Sequence, residues 1–183
     1  MMRIIIAGSR NIERPDVLAA LENCSWSGFA TCVVCGGARG ADQYGAVWGT
    51  RRGLEIQHYP ADWEAHGKRA GPLRNRKMAE NAEGLVAVWD GASRGTSNMI
   101  ETAQKLGLRI YILRTDIHRA KEIPATGQLG AMWEIAEERA ATMEFSAGID
   151  RTTAERLAGE EVRRICEAHS PVQPCDDVPP TAN

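Results

Sequence analysis

Five short apolar runs, each closed by a glycine-rich or polar break and followed by a helix-compatible stretch, recur along residues 1–114. That rhythm is the feature that most restricts the fold, because continuous apolar strands alternating with helices need a parallel sheet covered on both faces. The runs predict strands at 3–7, 31–35, 55–59, 85–89 and 109–113, and helices at 15–22, 41–53, 73–81 and 96–106. Pro15 suits a first helical turn, Ala41, Gly45 and Trp48 share one helical face, and Gly53 and Gly107 close their helices. A long polar connection through Pro60, Trp63, His66, Gly67, Gly71 and Pro72 separates the third strand from its helix. The expected fold class is α/β: a Rossmann-like parallel sheet of about five strands with helices on both faces, joined by right-handed crossovers, plus a C-terminal helical hairpin.

The texture changes after Arg114. Glycine falls from 14 residues to 4, strand signals stop, and helices are expected at 128–144 and 152–168 with Gly148 between them. Thr152, Thr153, Ala154 and Glu155 have capping-box spacing. Three units follow from this reading: a nucleotide-binding domain at 1–114, a helical appendage at 115–169 and a disordered tail at 170–183 that holds four of the eight prolines. Met132, Ile135, Ala136, Met143, Phe145, Leu157, Val162 and Ile165 give the hairpin enough apolar surface to dock on the main domain, on a second copy of the chain as a homo-oligomer, or on a protein partner.

Charge narrows the ligand. The formal net charge is -2, but residues 1–114 hold 15 Lys+Arg against 11 Asp+Glu and residues 115–183 hold 7 against 13. A mildly basic front half suits a small anion and falls short of the basic stripe expected for duplex DNA, so nucleic acid is disfavoured as a partner. No apolar run approaches the ~18 residues of a membrane span, and with no secretory pattern at the N-terminus a cytoplasmic protein that avoids membranes is expected. Five cysteines are an odd number, which argues against a disulfide framework. Cys32 and Cys35 have metal-motif spacing, but a strand through Val33 and Val34 sends them to opposite faces. No metal site and no cofactor is expected.

Ligands of open parallel sheets bind beyond the carboxyl ends of the strands. Three breaks fall there: Gly8-Ser9-Arg10, Gly36-Gly37-Ala38-Arg39-Gly40-Ala41-Asp42, and Asp90-Gly91-Ala92-Ser93-Arg94-Gly95-Thr96. Each brings small residues to a helix start, where free backbone amides and the positive helix end receive phosphate. Each carries an arginine, Arg10, Arg39 or Arg94, able to grip phosphate oxygens in two-pronged fashion, and Ser9, Ser93 and Thr96 add hydroxyl donors. Neither GxxxxGK[ST] nor a GxGxxG after the first strand is present. Trp63 is a candidate for stacking on a base; Trp89 ends a strand and is expected to pack.

At these loops the chain resembles the SLOG superfamily, in particular its YspA-like, cpYpsA-related family, relatives of the LOG phosphoribohydrolases and of DprA/Smf. The resemblance covers about residues 1–114 and is carried by the three breaks together with Pro60-Ala61-Asp62-Trp63 and Ala70-Gly71-Pro72-Leu73-Arg74-Asn75. It implies recognition of a nucleotide or nucleotide-derived small molecule, with Arg74 and Asn75 in the site. LOG enzymes cleave the N-glycosidic bond of nucleoside monophosphates with an Arg-Lys-x-x-Met helix and a Gly-Thr-x-x-Glu turn. Here Arg74 and Met78 match, with Asn75 in the lysine place. Gly95 and Thr96 also match, with Met99 in the glutamate place. Glu101 is about 200° further around a helix and cannot substitute. Catalysis would need a carboxylate. Asp42, Asp62 and Asp90 remain, and Asp42 or Asp90 with Arg74 would be the catalytic set. The leading expectation is a sensor or regulatory module; the alternatives are a LOG-like hydrolase and a DprA-like single-strand DNA adaptor.

Overall fold

A computed structural model describes residues 2–169, and the expected tail and Cys175 lie outside that span. Six strands form one sheet: β1 (Arg3–Gly8), β2 (Cys32–Cys35), β3 (Glu55–His58), β4 (Gly84–Trp89), β5 (Arg109–Arg114) and β6 (Arg119–Ile123), in the order β3-β2-β1-β4-β5-β6. The first five run parallel, and β6 pairs antiparallel with β5, setting Tyr111 opposite Glu122. The architecture is Rossmann-like.

Two expectations about the sheet and its connections are corrected by the structure. The sheet has a sixth strand where strand signals were expected to stop: β6 reads RAKEI, exposed except at Ile123, so it carries the charged face of an edge strand rather than an apolar run. The helix after the third strand begins three residues earlier than expected. It is α4 (Ala70–Glu80), and Gly71 and Pro72 lie inside its first turn, where a missing proline N–H removes no intrahelical bond. The connection before it is itself ordered, as α3 (Trp63–His66) and a 3-10 turn at Gly67–Arg69.

Side-chain alternation sorts the core into two layers. Ile4, Ile6, Val33, Val86 and Val88 face α1 (Arg14–Asn23), α2 (Ala41–Arg51), α6 (Gly127–Ala147) and α7 (Arg151–His169). Ile5, Ala7, Cys32, Val34, Leu85 and Ala87 face α4 and α5 (Arg94–Lys105). Burial on both faces explains why these strands read as continuous apolar runs.

The hairpin docks on its own chain. Met132, Trp133, Ala136, Ala140, Ala154, Ala158 and Val162 belong to the same buried cluster as Ile4 and Phe29. Trp133 meets Trp26 and Phe29 edge-on, with ring centroids 5.3 and 5.7 Å apart, and its indole N–H donates to the Glu83 carbonyl at 3.0 Å. Helix α7 starts one residue before Thr152. Asp150, not Thr152, supplies the cap, its Oδ1 accepting from the Thr153 amide at 3.1 Å, while Glu155 pairs with Arg151. Among the described residues, no helix is long and apolar enough to cross a membrane.

Candidate functional site

The chain leaves β1 towards β2 but leaves β4 towards β5, so the connections part at the boundary between these central strands. A crevice opens at such a point. A cleft of about 320 Å³ lies there, walled by the end of β1 (Ala7, Gly8, Arg10), the start of α2 (Ala38, Asp42), the α3–α4 segment (Trp63, Lys68, Gly71, Pro72, Arg74, Asn75, Met78) and the first turns of α5 (Ser93 to Thr96, Asn98, Met99).

Close backbone approaches shape it. Gly40 takes φ +80°, and a Cβ there would come within 2.6 Å of the Ser9 carbonyl oxygen. Only glycine lets the second break pass under the first. Gly36 has no room either, because the Arg74 guanidinium occupies the place of its missing side chain. Arg74 Nη1 donates to the Gly36 carbonyl at 2.6 Å and Nε to Asn75 Oδ1 at 3.1 Å. The Asn75 amide group donates onward to the Gly95 carbonyl at 3.2 Å and to Asn98 Oδ1 at 3.0 Å. One chain of hydrogen bonds thus ties the second and third breaks through α4.

Asp42 is 4% exposed and its Oδ2 accepts from the amides of Gly36 at 2.9 Å and Ala38 at 3.4 Å. Burial pushes its carboxyl above the usual range, against the pull of the Arg74 charge and of these amides. It is the one carboxylate among the described residues lining the cleft; Arg10, Lys68, Arg74 and Arg94 line it with positive charge.

The expected site residues divide into two groups. Gly8, Arg10, Asp42, Trp63, Arg74, Asn75, Ser93, Arg94, Gly95 and Thr96 line one cleft; Ser9, Gly36, Gly37, Arg39, Gly40, Asp90 and Gly91 do not. Ser9 is buried, its Oγ accepting from the Asp90 amide at 3.2 Å. Arg39 is exposed outside the cleft. Asp90 Oδ1 accepts from the amides of Ala92 and Ser93 at 3.0 and 2.8 Å, and the Ser93 amide above all holds its carboxyl below the usual range. Asp62 is likewise engaged, capping α3 through the Ala65 amide at 2.9 Å. Trp89 lies outside the cleft, under the Arg114 guanidinium at 4.7 Å.

Sequence reasoning passed over Lys68, Pro72, Asn98 and Met99 as lining residues. The spacing of Asn98 from Arg94 and Gly95, four and three residues along one helical face, was the available signal for one; Lys68 arrives through the fold of a polar connection and carried none. Thr96 is 3% exposed, its Oγ1 3.0 Å from Ser93 Oγ, and the Ser93 hydroxyl oxygen caps α5 by accepting from the Thr96 amide at 3.4 Å. Trp63 stands 55% exposed at the mouth. On β2, Cys32 joins the α4–α5 layer, while Cys35 lies 3.2 Å from His58 Nδ1 at the sheet edge; burial pushes the Cys35 thiol up. Among the described residues no three His, Cys, Asp or Glu side chains gather as a metal ion needs.

The model of the YspA, cpYpsA-related SLOG family matches residues 2–66. The Gene 61 protein of Mycobacterium phage D29 is 40% identical over 118 residues, 60% of this chain and 94% of that protein. Among solved structures, DNA processing protein A (DprA) of Streptococcus pneumoniae resembles it with a TM-score of 0.51 at 15% identity, over 61% of this chain and 50% of that one. The chain therefore spans about half the length of DprA, and at this identity the likeness concerns the fold.

Proposed function

This chain belongs to the YspA, cpYpsA-related SLOG family, and we propose that its cleft binds a nucleotide or nucleotide-derived small molecule, as a sensor or regulatory module. The observation that carries the reading is the lining of the cleft: Arg10, Lys68, Arg74 and Arg94 line it with the one carboxylate of Asp42, beside the opening turn of α5. Phosphate suits that site, since the amides of Arg94 and Gly95 have no intrahelical acceptor and a Cβ at Gly95 would meet nothing within 4 Å. Exposed Trp63 offers an aromatic face for a base at the mouth.

Binding is favoured over glycosidic cleavage by the state of the acids. Met99, 2% exposed, stands in the glutamate place of the LOG-type turn, and Asp42 is held by two backbone amides at its own loop. Glu101, the nearest acid along α5, accepts from Ser97 Oγ and does not line the cleft.

Titration calorimetry with adenosine monophosphate, adenosine and inorganic phosphate tests the proposal. The monophosphate binds and the nucleoside binds far more weakly. Lys68→Ala and Arg94→Ala each weaken monophosphate binding by about 1.5–3 kcal/mol, the value of a hydrogen bond to a charged group. Arg39→Ala leaves it unchanged. Equal binding of nucleoside and monophosphate, or indifference to both substitutions, overturns the reading. Chromatography of the same mixtures for released base separates binding from hydrolysis.

A further inference from the structure

We propose that the ligand consists of two nucleoside units joined through phosphate, with the second unit lying in the groove between α4 and α5. This rests on the cleft being a nucleotide site and extends it.

The groove, of about 480 Å³, adjoins the cleft: Pro72 on α4 and Asn98 on α5 line both. The cleft alone lies at the small end of the roughly 300–1,000 Å³ range of small-ligand sites. The adjoining groove more than doubles the space. Its chemistry continues that of the cleft, since Arg69, Arg76 and Lys105 line it and, among the described residues, no carboxylate does. Arg76 pairs with Glu80 at 2.7 Å, while Arg69 and Lys105 form no salt bridge among the described residues. Leu73 and Leu106 also line the groove, and Leu106, 40% exposed, offers an apolar surface suited to the face of a base.

At the junction, Asn98 Oδ1 accepts from Asn75, and the NH2 group of Asn98 has no partner among the described residues. A phosphate bridging the two units would find a donor there. An occupant that follows this path meets a hydrogen-bond donor at Asn98 and an exposed apolar surface at each end, Trp63 and Leu106, which suits a linked pair of nucleosides better than a lone phosphate.

The test compares adenosine monophosphate with a phosphodiester-linked adenine dinucleotide and with NAD, whose units are joined by pyrophosphate, by calorimetry on the full chain. At least one linked ligand should bind tenfold or more tighter than the monophosphate, a modest gain for a second contact made intramolecular. Lys105→Glu and Leu106→Asp, and the milder Lys105→Ala, should erase that gain while the monophosphate affinity stays fixed. Equal affinities for all three ligands, or groove substitutions that weaken the monophosphate as much as the linked ligands, overturn the two-unit inference and leave the cleft reading standing. Failure of all three ligands to bind overturns both.

Discussion

Two aspartates, Asp42 inside the cleft and Asp90 outside it, show how loop environment shifts one residue type in opposite directions. For Asp42, burial raises the carboxyl above its ordinary 3.8, so the folded chain holds the proton more tightly than the unfolded one. Stability therefore falls as pH rises from the unfolded value through the folded one, and stays at the lower level at neutrality. Asp42→Asn removes the buried charge while its Oδ1 still accepts from Gly36 and Ala38. At pH 7 the variant should melt at the same or a higher temperature, with a flatter pH dependence above pH ~4. A fall of several degrees would show that the charge itself holds the loop. Asp90 has the reverse sign: its carboxyl is depressed, so the stability it contributes is present above the unfolded value and is lost as pH falls through the folded value. Asp90→Ala should cost about 1 kcal/mol in urea denaturation at pH 7, as for a lost cap, and the difference should vanish in strong acid.

Helix α2 lies close to the sheet because its inward face is Ala41, Gly45 and Gly49. A side chain at Gly45 would overlap Ile6, and one at Gly49 would come within 2.7 Å of Ile56 and Val33. Gly45→Val should therefore destabilise the fold by about 1–3 kcal/mol, read from chemical denaturation, because overpacking pushes the helix off β1. Helix α7 offers a sharper comparison. Asp150→Ala should cost about 0.5–2 kcal/mol, while Thr152→Ala, one residue inside the helix, should cost less. At this scale the sequence was legible where burial dictated it: β1, β2, β4 and β5 are apolar because both their faces are covered. Strand β6 was illegible because its place is set by pairing with β5, not by its own charged residues. Pro72 misled for a related reason, since the residue that breaks helix interiors is neutral in a first turn.

Taken as a whole, the molecule puts its work on different sides of the sheet. The hairpin closes the layer against α1 and α2, pinned by Trp133 and by the ion pair of Arg109 with Glu137. The cleft and its groove lie with α4 and α5. The rim loops could be read in advance because glycine breaks after parallel strands collect at one edge. Which arginine enters could not: Arg39 and Arg94 sit in similar breaks, and only the packing of α4 against α5 brings one to the cleft and leaves the other outside. Lys68 and Asn98 are likewise products of tertiary geometry. The most direct measurement is a titration of the isotope-labelled chain with adenosine monophosphate, followed by amide NMR shifts. Shifts concentrated at Gly8, Ala38, Gly95 and the Trp63 indole are the predicted result. Shifts that are absent, or that fall on α6 and α7 instead, would contradict a nucleotide site at this edge of the sheet.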